Sequence, residues 1–79
     1  MNYPTLLTQA KEFRDAYSIP NSPNGNLTQK CLIDEEWSEF HEAFHLKDEH
    51  EQLKELCDLV YVCYQFAANE GWDLDEAMD

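Results

Sequence analysis

The stretch Ile33–Asp58, IDEEWSEFHEAFHLKDEHEQLKELCD, decides the fold. Helical spacing of its apolar residues predicts two helices, separated by a short break at Lys47 and Asp48. Two helices joined by so short a connection favour an antiparallel hairpin. The chain contains no alternating run typical of a strand. The sequence therefore predicts an all-α fold, in which this hairpin and its flanking helices form a helical bundle on oligomerisation.

Four acids lie at matching levels of this hairpin. Glu39 precedes the break by about eight residues and Glu55 follows it by about seven, which places both about 11–13 Å from the turn at the rise of an α-helix. Glu36 and Asp58 match each other in the same way, one turn further along. Folding of the hairpin should bring the four carboxylates to nearly the same level.

Glu36 also lies on the apolar face of its helix, with Glu39 at the edge of that face. At 100° per residue, the apolar arc around Glu36 contains Leu32, Ile33, Phe40, Ala43 and Phe44. Carboxylates held against a core are costly, because two of them about 5 Å apart repel by about 3 kcal/mol at an effective dielectric of 20. Four such acids therefore need a cation, unless they lie on solvated helix faces, which is the alternative interpretation. An all-oxygen cluster suits Mg²⁺, with Mn²⁺ as a second choice, better than zinc.

The flanking segments predict two more helices. Leu6, Ala10, Phe13 and Tyr17 recur at helical spacing over residues 5–17, and Pro4 suits a first turn. Residues 18–25 (SIPNSPNG) predict a loop. The last residues, 73–79, predict a short helix opened by an aspartate three residues before a glutamate.

Capping patterns set the expected ends of the hairpin helices. Asn26 with Gln29 resembles a capping box that opens the second helix, which should run to about Leu46. Asp48 repeats the signal for the third helix. That helix should end at residues 69–71, where a glycine can adopt the left-handed conformation.

The third helix is apolar around most of its circumference, which indicates an oligomer. Its apolar residues are Leu53, Leu56, Leu59, Val60, Tyr61, Val62, Cys63, Tyr64, Phe66 and Ala67. A helix that is apolar all round must be buried all round, and three helices with a short fourth cannot achieve this within one chain. We therefore expect a homodimer or a homotetramer.

Composition limits the classes of function. The 79 residues predict a single domain, residues 1–79, and the formal charge of −12 argues against binding a nucleic-acid polymer. No apolar run is long enough to span a membrane, and the start, MNYP, lacks a signal-peptide pattern. The three cysteines, Cys31, Cys57 and Cys63, show no Cys-x-x-Cys spacing and favour a reducing compartment, so we expect a cytoplasmic protein.

A second motif competes with the acids. The segment His41–His45, HEAFH, matches the His-Glu-x-x-His pattern of zinc metalloproteases, but its histidines should face solvent and no clear third ligand follows. Exposed histidines are the simpler interpretation, and a small zinc site is the alternative.

Several residues near the acids are candidates for contact with a nucleotide. Phe13, Tyr17 and Trp37 could stack on a base, although packing in the core or at an interface is the competing role for each. Lys30 and Lys54 lie one to two turns from the acids and could contact phosphate, with simple solvation as the alternative.

The order of these motifs resembles a known family. Leu32–Phe40 (LIDEEWSEF) resembles the Glu-Glu-x-x-Glu signature of MazG-like nucleotide pyrophosphohydrolases, and Lys54–Val62 (KELCDLVYV) resembles their Glu-x-x-Asp signature. Glu70–Asp79 resembles the Gly-x-Asp-Leu turn and helix that follow. Glu12–Tyr17 (EFRDAY) and the proline-rich loop are similar to the phosphoribosyl-ATP-pyrophosphohydrolase-like branch.

This resemblance implies a Mg²⁺-dependent enzyme of the all-α NTP pyrophosphatase superfamily, which cleaves a nucleoside triphosphate between its α- and β-phosphates. By position, the metal ligands would be Glu36, Glu39, Glu55 and Asp58, with Glu36 or Glu39 as the catalytic acid that orients the attacking water. Relatives continue past the position of Asp79 with a polar stretch that helps to hold the nucleotide. A non-enzymatic helical oligomerisation or binding module, with a solvated or metal-stabilised acidic face, is the alternative function.

Overall fold

The computed structural model describes residues 5–19 and 25–79. Within these ranges the chain forms four helices and no strand: α1 (Leu6–Ala16), α2 (Gly25–His45), α3 (Glu49–Glu70) and α4 (Leu74–Met78). The predicted all-α class is confirmed. None of the described helices combines the length and the apolar character that crossing a membrane requires.

A three-residue connection folds α2 and α3 into the predicted antiparallel hairpin. Lys47 adopts a left-handed conformation with φ 58° and donates its backbone N–H to Phe44 O at 3.1 Å. The Asp48 N–H reaches Ala43 O at 3.2 Å, which completes a Schellman-type helix end. The Asp48 side chain then accepts from the N–H of Glu51 at 3.1 Å and caps α3. The backbone N–H of Asp48 thus closes the end of α2, and its side chain caps the start of α3. The two contacts fix which turns of α2 and α3 lie side by side.

The small apolar core lies between α1 and α3, near the end of α3. Its buried residues are Leu7, Ala10, Ala67 and Ala68, and Tyr64 and Leu74 pack against them. The alanines allow the two helices to approach closely, and α4 covers the end of this contact through Leu74. The core therefore joins α1 and α4 to α3, whereas α2 packs on α3 as the other arm of the hairpin.

The helix ends mostly follow the predicted caps. The Thr5 hydroxyl accepts from the N–H of Thr8 at 3.0 Å at the start of α1. Gly71 ends α3 with φ 74°, as predicted. The Asp73 carboxylate accepts from the N–H of Glu76 at 3.0 Å and opens α4. The predicted features at Gly71 and Asp73 are confirmed, whereas Thr5, which was expected inside the first helix, is its N-cap.

Two predictions about α2 are wrong. The helix begins at Gly25, so Asn26 and Gln29 lie inside it and do not form a capping box. Phe44 was expected on the buried face, yet its side chain is 59% exposed. Phe44 lies in the last turn of α2, where the hairpin ends and none of the described helices covers it. Pro4 and most of the predicted loop, residues 20–24, lie outside the described residues.

Much of α3 is left uncovered by the part of the chain that the structure describes. Leu53, Leu56, Val60 and Tyr61 are all exposed, although α3 packs against both α1 and α2. An apolar groove of about 310 Å³ runs along this side, lined by Leu6, Leu56, Cys57, Val60, Tyr61 and Tyr64. We call it the α1–α3 groove. It is the kind of surface that the expected oligomer would cover, and the oligomer itself stays a prediction.

Candidate active site

Three carboxylates from the two hairpin helices converge on one point. Glu36 and Glu39 come from successive turns of α2, and Glu55 comes from α3. One carboxylate oxygen of each lies within 4.8 Å of the others. We call these three residues the carboxylate cluster. The Asp48 turn produces this convergence, because it sets Glu39 opposite Glu55.

The cluster is partly withdrawn from water. Glu55 is only 7% exposed and Glu36 is half-buried, whereas Glu39 is exposed. Glu36 Oε2 and Glu55 Oε2 are both fully covered and have no hydrogen-bond partner. A buried carboxylate oxygen without a partner costs free energy that a bound cation would recover. The two buried oxygens thus mark the place where compensation is needed.

The electrostatics of the cluster agree with its burial. The pKa of Glu36 is raised to about 7, chiefly by burial and then by the negative charges of Glu39 and Asp58. The pKa of Glu55 is also raised, first by burial and then by its contact with Glu39. Lys54 opposes this rise, since its ammonium group lies 3.9 Å from Glu55 Oε1. Neighbouring carboxylates whose pKa values are raised together by burial and mutual repulsion are typical of functional sites.

Asp58 and Glu35 take different places around the cluster. Asp58 is half-buried one turn beyond Glu55, and its charge raises the pKa of both Glu36 and Glu55. It lies outside the group whose oxygens meet within 4.8 Å. Glu35, which fills the first place of the Glu-Glu-x-x-Glu segment, is exposed and also lies outside that group. The structure thus brings together three of the four expected ligands and leaves Asp58 within electrostatic reach.

A cavity of about 170 Å³ opens beside the cluster, towards the hairpin turn. It is lined by Glu39, Glu42, Ala43, Leu46, Asp48, Glu51 and Glu55. Glu42 and Glu51 were not singled out from the sequence. Their spacing could have identified them. Glu42 is three residues after Glu39 and Glu51 is four before Glu55, so each lies on the same helix face as a cluster member.

The two lysine candidates differ in position. Lys54 lies next to the cluster, with its ammonium group 3.9 Å from both Glu55 Oε1 and Glu51 Oε2. Lys30 forms an ion pair with Asp34 at 2.7 Å on its own helix, and this contact raises the pKa of Lys30. Lys54 is therefore the better-placed cation for a phosphate.

The aromatic candidates lie on two different helices. Phe13 packs against Tyr17, with ring centroids 4.7 Å apart, and meets Tyr61 of α3 edge-on at 6.1 Å. Trp37 is 56% exposed on α2, where its ring lies 6.2 Å from that of Phe40. Phe13 thus contributes to the packing of α1 on α3, whereas Tyr17 contacts Phe13 and is 69% exposed, and Trp37 is also largely exposed.

A buried polar network was not foreseen from the sequence. Arg14 of α1 is only 4% exposed and donates to Gln65 Oε1 at 3.3 Å and to Asn69 Oδ1 at 2.8 Å. Gln65 in turn donates to Ala10 O at 3.4 Å. The only sequence signal was the spacing of Ala10 and Arg14, which places an arginine on the core face of α1. The network holds α1 in a defined register on α3.

Fold and site together define an all-α hairpin protein with a carboxylate cluster at the helix interface. The family model of phosphoribosyl-ATP pyrophosphohydrolase matches residues 6–79. The chain therefore belongs to the phosphoribosyl-ATP pyrophosphohydrolase family, a family of enzymes of the pyrophosphohydrolase type, and the resemblance inferred from its signature segments is confirmed. Comparison with curated proteins and comparison with solved structures gave no match.

Proposed function

We propose that this chain is a magnesium-dependent pyrophosphohydrolase that acts on nucleoside triphosphates. It would cleave the bond between the α- and β-phosphates and release a nucleoside monophosphate and pyrophosphate. The observation that carries this proposal is the carboxylate cluster, with two buried oxygens that have no partner. Removal of noncanonical or surplus ribo- or deoxyribonucleotides is the cellular role that we propose for it.

The donor set of the cluster fits a hard divalent cation. All its donors are carboxylate oxygens, which suit Mg²⁺ or Mn²⁺ and not the nitrogen and sulfur sites of zinc. The ion would be held by Glu36, Glu39 and Glu55. Asp58 would either bind the ion as a fourth ligand or add negative charge beside it. When bound, Mg²⁺ would neutralise phosphate charge and lower the pKa of a bound water.

The remaining roles follow from the position of each side chain. Glu39 belongs to the cluster and also lines the adjacent cavity, so we assign to it the orientation of the attacking water. Lys54 is placed to contact a phosphate oxygen beside Glu55. Trp37 lies about 160° around α2 from Glu39, with its ring beside that of His41, so we assign it no contact with the base of a nucleotide bound at the cluster. Glu36 is more enclosed and would serve mainly as a ligand.

The test is pyrophosphate release from a panel of ribo- and deoxyribonucleoside triphosphates together with phosphoribosyl-ATP. Each substrate is assayed with Mg²⁺, with Mn²⁺, with Zn²⁺ and with a chelator. We expect release that requires Mg²⁺ or Mn²⁺ and is fastest for one class of nucleotide. A preference for phosphoribosyl-ATP over every simple triphosphate would keep the reaction type and replace the substrate that we propose.

Matched variants locate the site. Glu39→Gln should lower turnover by about 100-fold or more, since a ligand worth several kcal/mol of transition-state stabilisation is lost. Glu35→Gln removes the same charge from an exposed position of the same helix and should retain most of the activity. Equal activity in both variants would show that the cluster is not the site.

A second candidate function is supported by the α1–α3 groove. An exposed apolar surface of this kind marks a protein interaction site, and the chain would then act as a helical oligomerisation module. For either function we propose that a second copy of the chain covers the groove, in a homodimer or a homotetramer. No release from any substrate, by protein shown to be folded, would favour the module.

A further inference from the structure

Two histidines form a close pair on the outer side of α2. His41 and His45 are both exposed and lie one helical turn apart, with their Nε2 atoms 3.1 Å from each other. The ring centroids are 4.4 Å apart. At 100° per residue, His41 lies about 160° around the helix from Glu39, so the pair lies on the opposite side of α2 from the carboxylate cluster. The proposed hydrolysis does not use this pair.

The distance between the two nitrogens matches that of two ligands on one metal ion. Zinc binds imidazole nitrogen at about 2.0–2.1 Å, so two such nitrogens lie about 2.9 Å apart at a right angle and about 3.4 Å apart at the tetrahedral angle. The observed 3.1 Å falls between these limits. A shared ion therefore requires only small rotations of two exposed rings.

The chemistry of the pair also favours a metal. At 3.1 Å one neutral ring donates its Nε2–H to the lone pair of the other. An ion between the rings would take both Nε2 lone pairs, and the donor ring would exchange that proton through water to its Nδ1. No net proton is lost when both rings start neutral. Imidazole nitrogen suits Zn²⁺, Cu²⁺ and Ni²⁺, whereas Mg²⁺ prefers oxygen.

We propose that His41 and His45 are a second cation site, a two-imidazole chelate for a borderline divalent transition metal such as Zn²⁺. Within residues 5–19 and 25–79, the single group of three or more potential metal ligands is the carboxylate cluster, so no third protein ligand joins the histidines. The remaining coordination positions are filled by water. The charge of −12 raises the local concentration of cations around the chain. The two sites differ in donor type and so select different metals.

Zinc binding to the full chain tests this proposal. The titration is followed by calorimetry and by the imidazole nitrogen NMR signals, in a large excess of Mg²⁺ that occupies the carboxylate cluster. We expect one zinc per chain and shifted Nε2 signals from two histidines. His41→Ala and His45→Ala should each weaken binding by about tenfold or more, because loss of a direct ligand costs at least as much as loss of an outer-shell partner.

Two controls separate this site from other sources of zinc binding. His50→Ala removes an exposed histidine of α3 and should leave zinc binding unchanged. Glu39→Gln alters the carboxylate cluster and should also leave it unchanged. Absence of saturable binding would overturn the proposal. So would binding that survives either His41→Ala or His45→Ala, or binding that is lost in Glu39→Gln.

Discussion

Glu36→Gln should stabilise the metal-free protein, even though it alters a residue of the proposed active site. Glutamine has nearly the shape of a protonated glutamate and carries no charge. In the folded chain the pKa of Glu36 is raised to about 7 by burial and by the charges of Glu39 and Asp58. At pH 8 the wild-type side chain is therefore ionised in an environment that disfavours the charge. The variant is free of that cost.

The size of the effect follows from the pKa. Since one pH unit corresponds to about 1.36 kcal/mol, a pKa of about 7 against the ordinary value of 4.5 sets a ceiling of about 3 kcal/mol at pH 8. Glu36 is only half-buried, and water screens part of the repulsion. We therefore expect the variant to gain about 1–2 kcal/mol in free energy of unfolding.

The direction of the pKa shift of Glu36 decides whether its contribution to stability rises or falls with pH. The neutral carboxyl of Glu36 contributes stability that is fully present below pH 4.5 and is lost as the pH rises through 7. The advantage of Glu36→Gln should therefore be largest at pH 8 and should approach zero near pH 4. Carboxylates remote from the cluster titrate alike in both proteins, so their contributions cancel in the difference, whereas Glu39, Glu55 and Asp58 lose a repelling neighbour in the variant and add to its advantage at pH 8.

The assay is urea unfolding with a chelator at pH 8 and pH 4, at one protein concentration. Glu12→Gln removes an equal charge from an exposed position of α1 and should show little change at either pH. Added Mg²⁺ should then stabilise the wild type more than Glu36→Gln, because a ligand that binds only the folded state shifts unfolding. A gain that is equal at both pH values, or no gain, would refute the electrostatic reasoning.

Three further predictions concern the rest of the fold. Arg14→Leu should cost about 2–3 kcal/mol in urea unfolding, because it leaves the buried oxygens of Gln65 and Asn69 without this donor, whereas the exposed Lys11→Leu should change little. A smaller cost for Arg14→Leu than for Lys11→Leu would contradict the network. Gly71→Ala should destabilise the fold by about 1 kcal/mol in thermal melts. The cost is conformational, because φ is 74° and no atom lies within 4 Å of an added Cβ. Gly71→Asn should cost less, since asparagine tolerates the left-handed conformation better, and the reverse order would argue against a conformational cost. Leu56→Asp, in the α1–α3 groove, should reduce the sedimentation mass to that of one chain; an oligomer that persists would place the interface elsewhere.

Local signals predicted most of the helical structure. Asp48 and Asp73 cap their helices and Gly71 ends α3, because each of these features depends on hydrogen bonds within a few residues. The same signals failed at Asn26, where a capping pattern occurs one residue inside α2. Lys47 also adopts a left-handed conformation that its residue type does not indicate. Here the requirements of the hairpin turn outweigh the preference of the residue.

For the candidate site, the sequence determined which helices carry the acids and at what level they meet. Both follow from the rise per residue and from the short connection at residues 46–48, which are properties of the backbone. Tertiary structure decided that Glu36, Glu39 and Glu55 converge within 4.8 Å while Asp58 remains outside that group. It also decided which carboxylate oxygens lose their contact with water. Convergence and burial depend on how two helices rotate about their axes when they pack, and the apolar arc around Glu36 indicates that rotation only to within a residue or so.

The same reason accounts for Arg14. The sequence placed it on the core face of α1, but its partners Gln65 and Asn69 lie 51 and 55 residues away along the chain. Only the packing of α1 on α3 brings amide oxygens to the guanidinium group and makes its burial tolerable. The sequence thus determined the helices, their caps and the level of the acids. The tertiary structure decided which polar groups are buried and what they meet, because burial is a property of surfaces in contact.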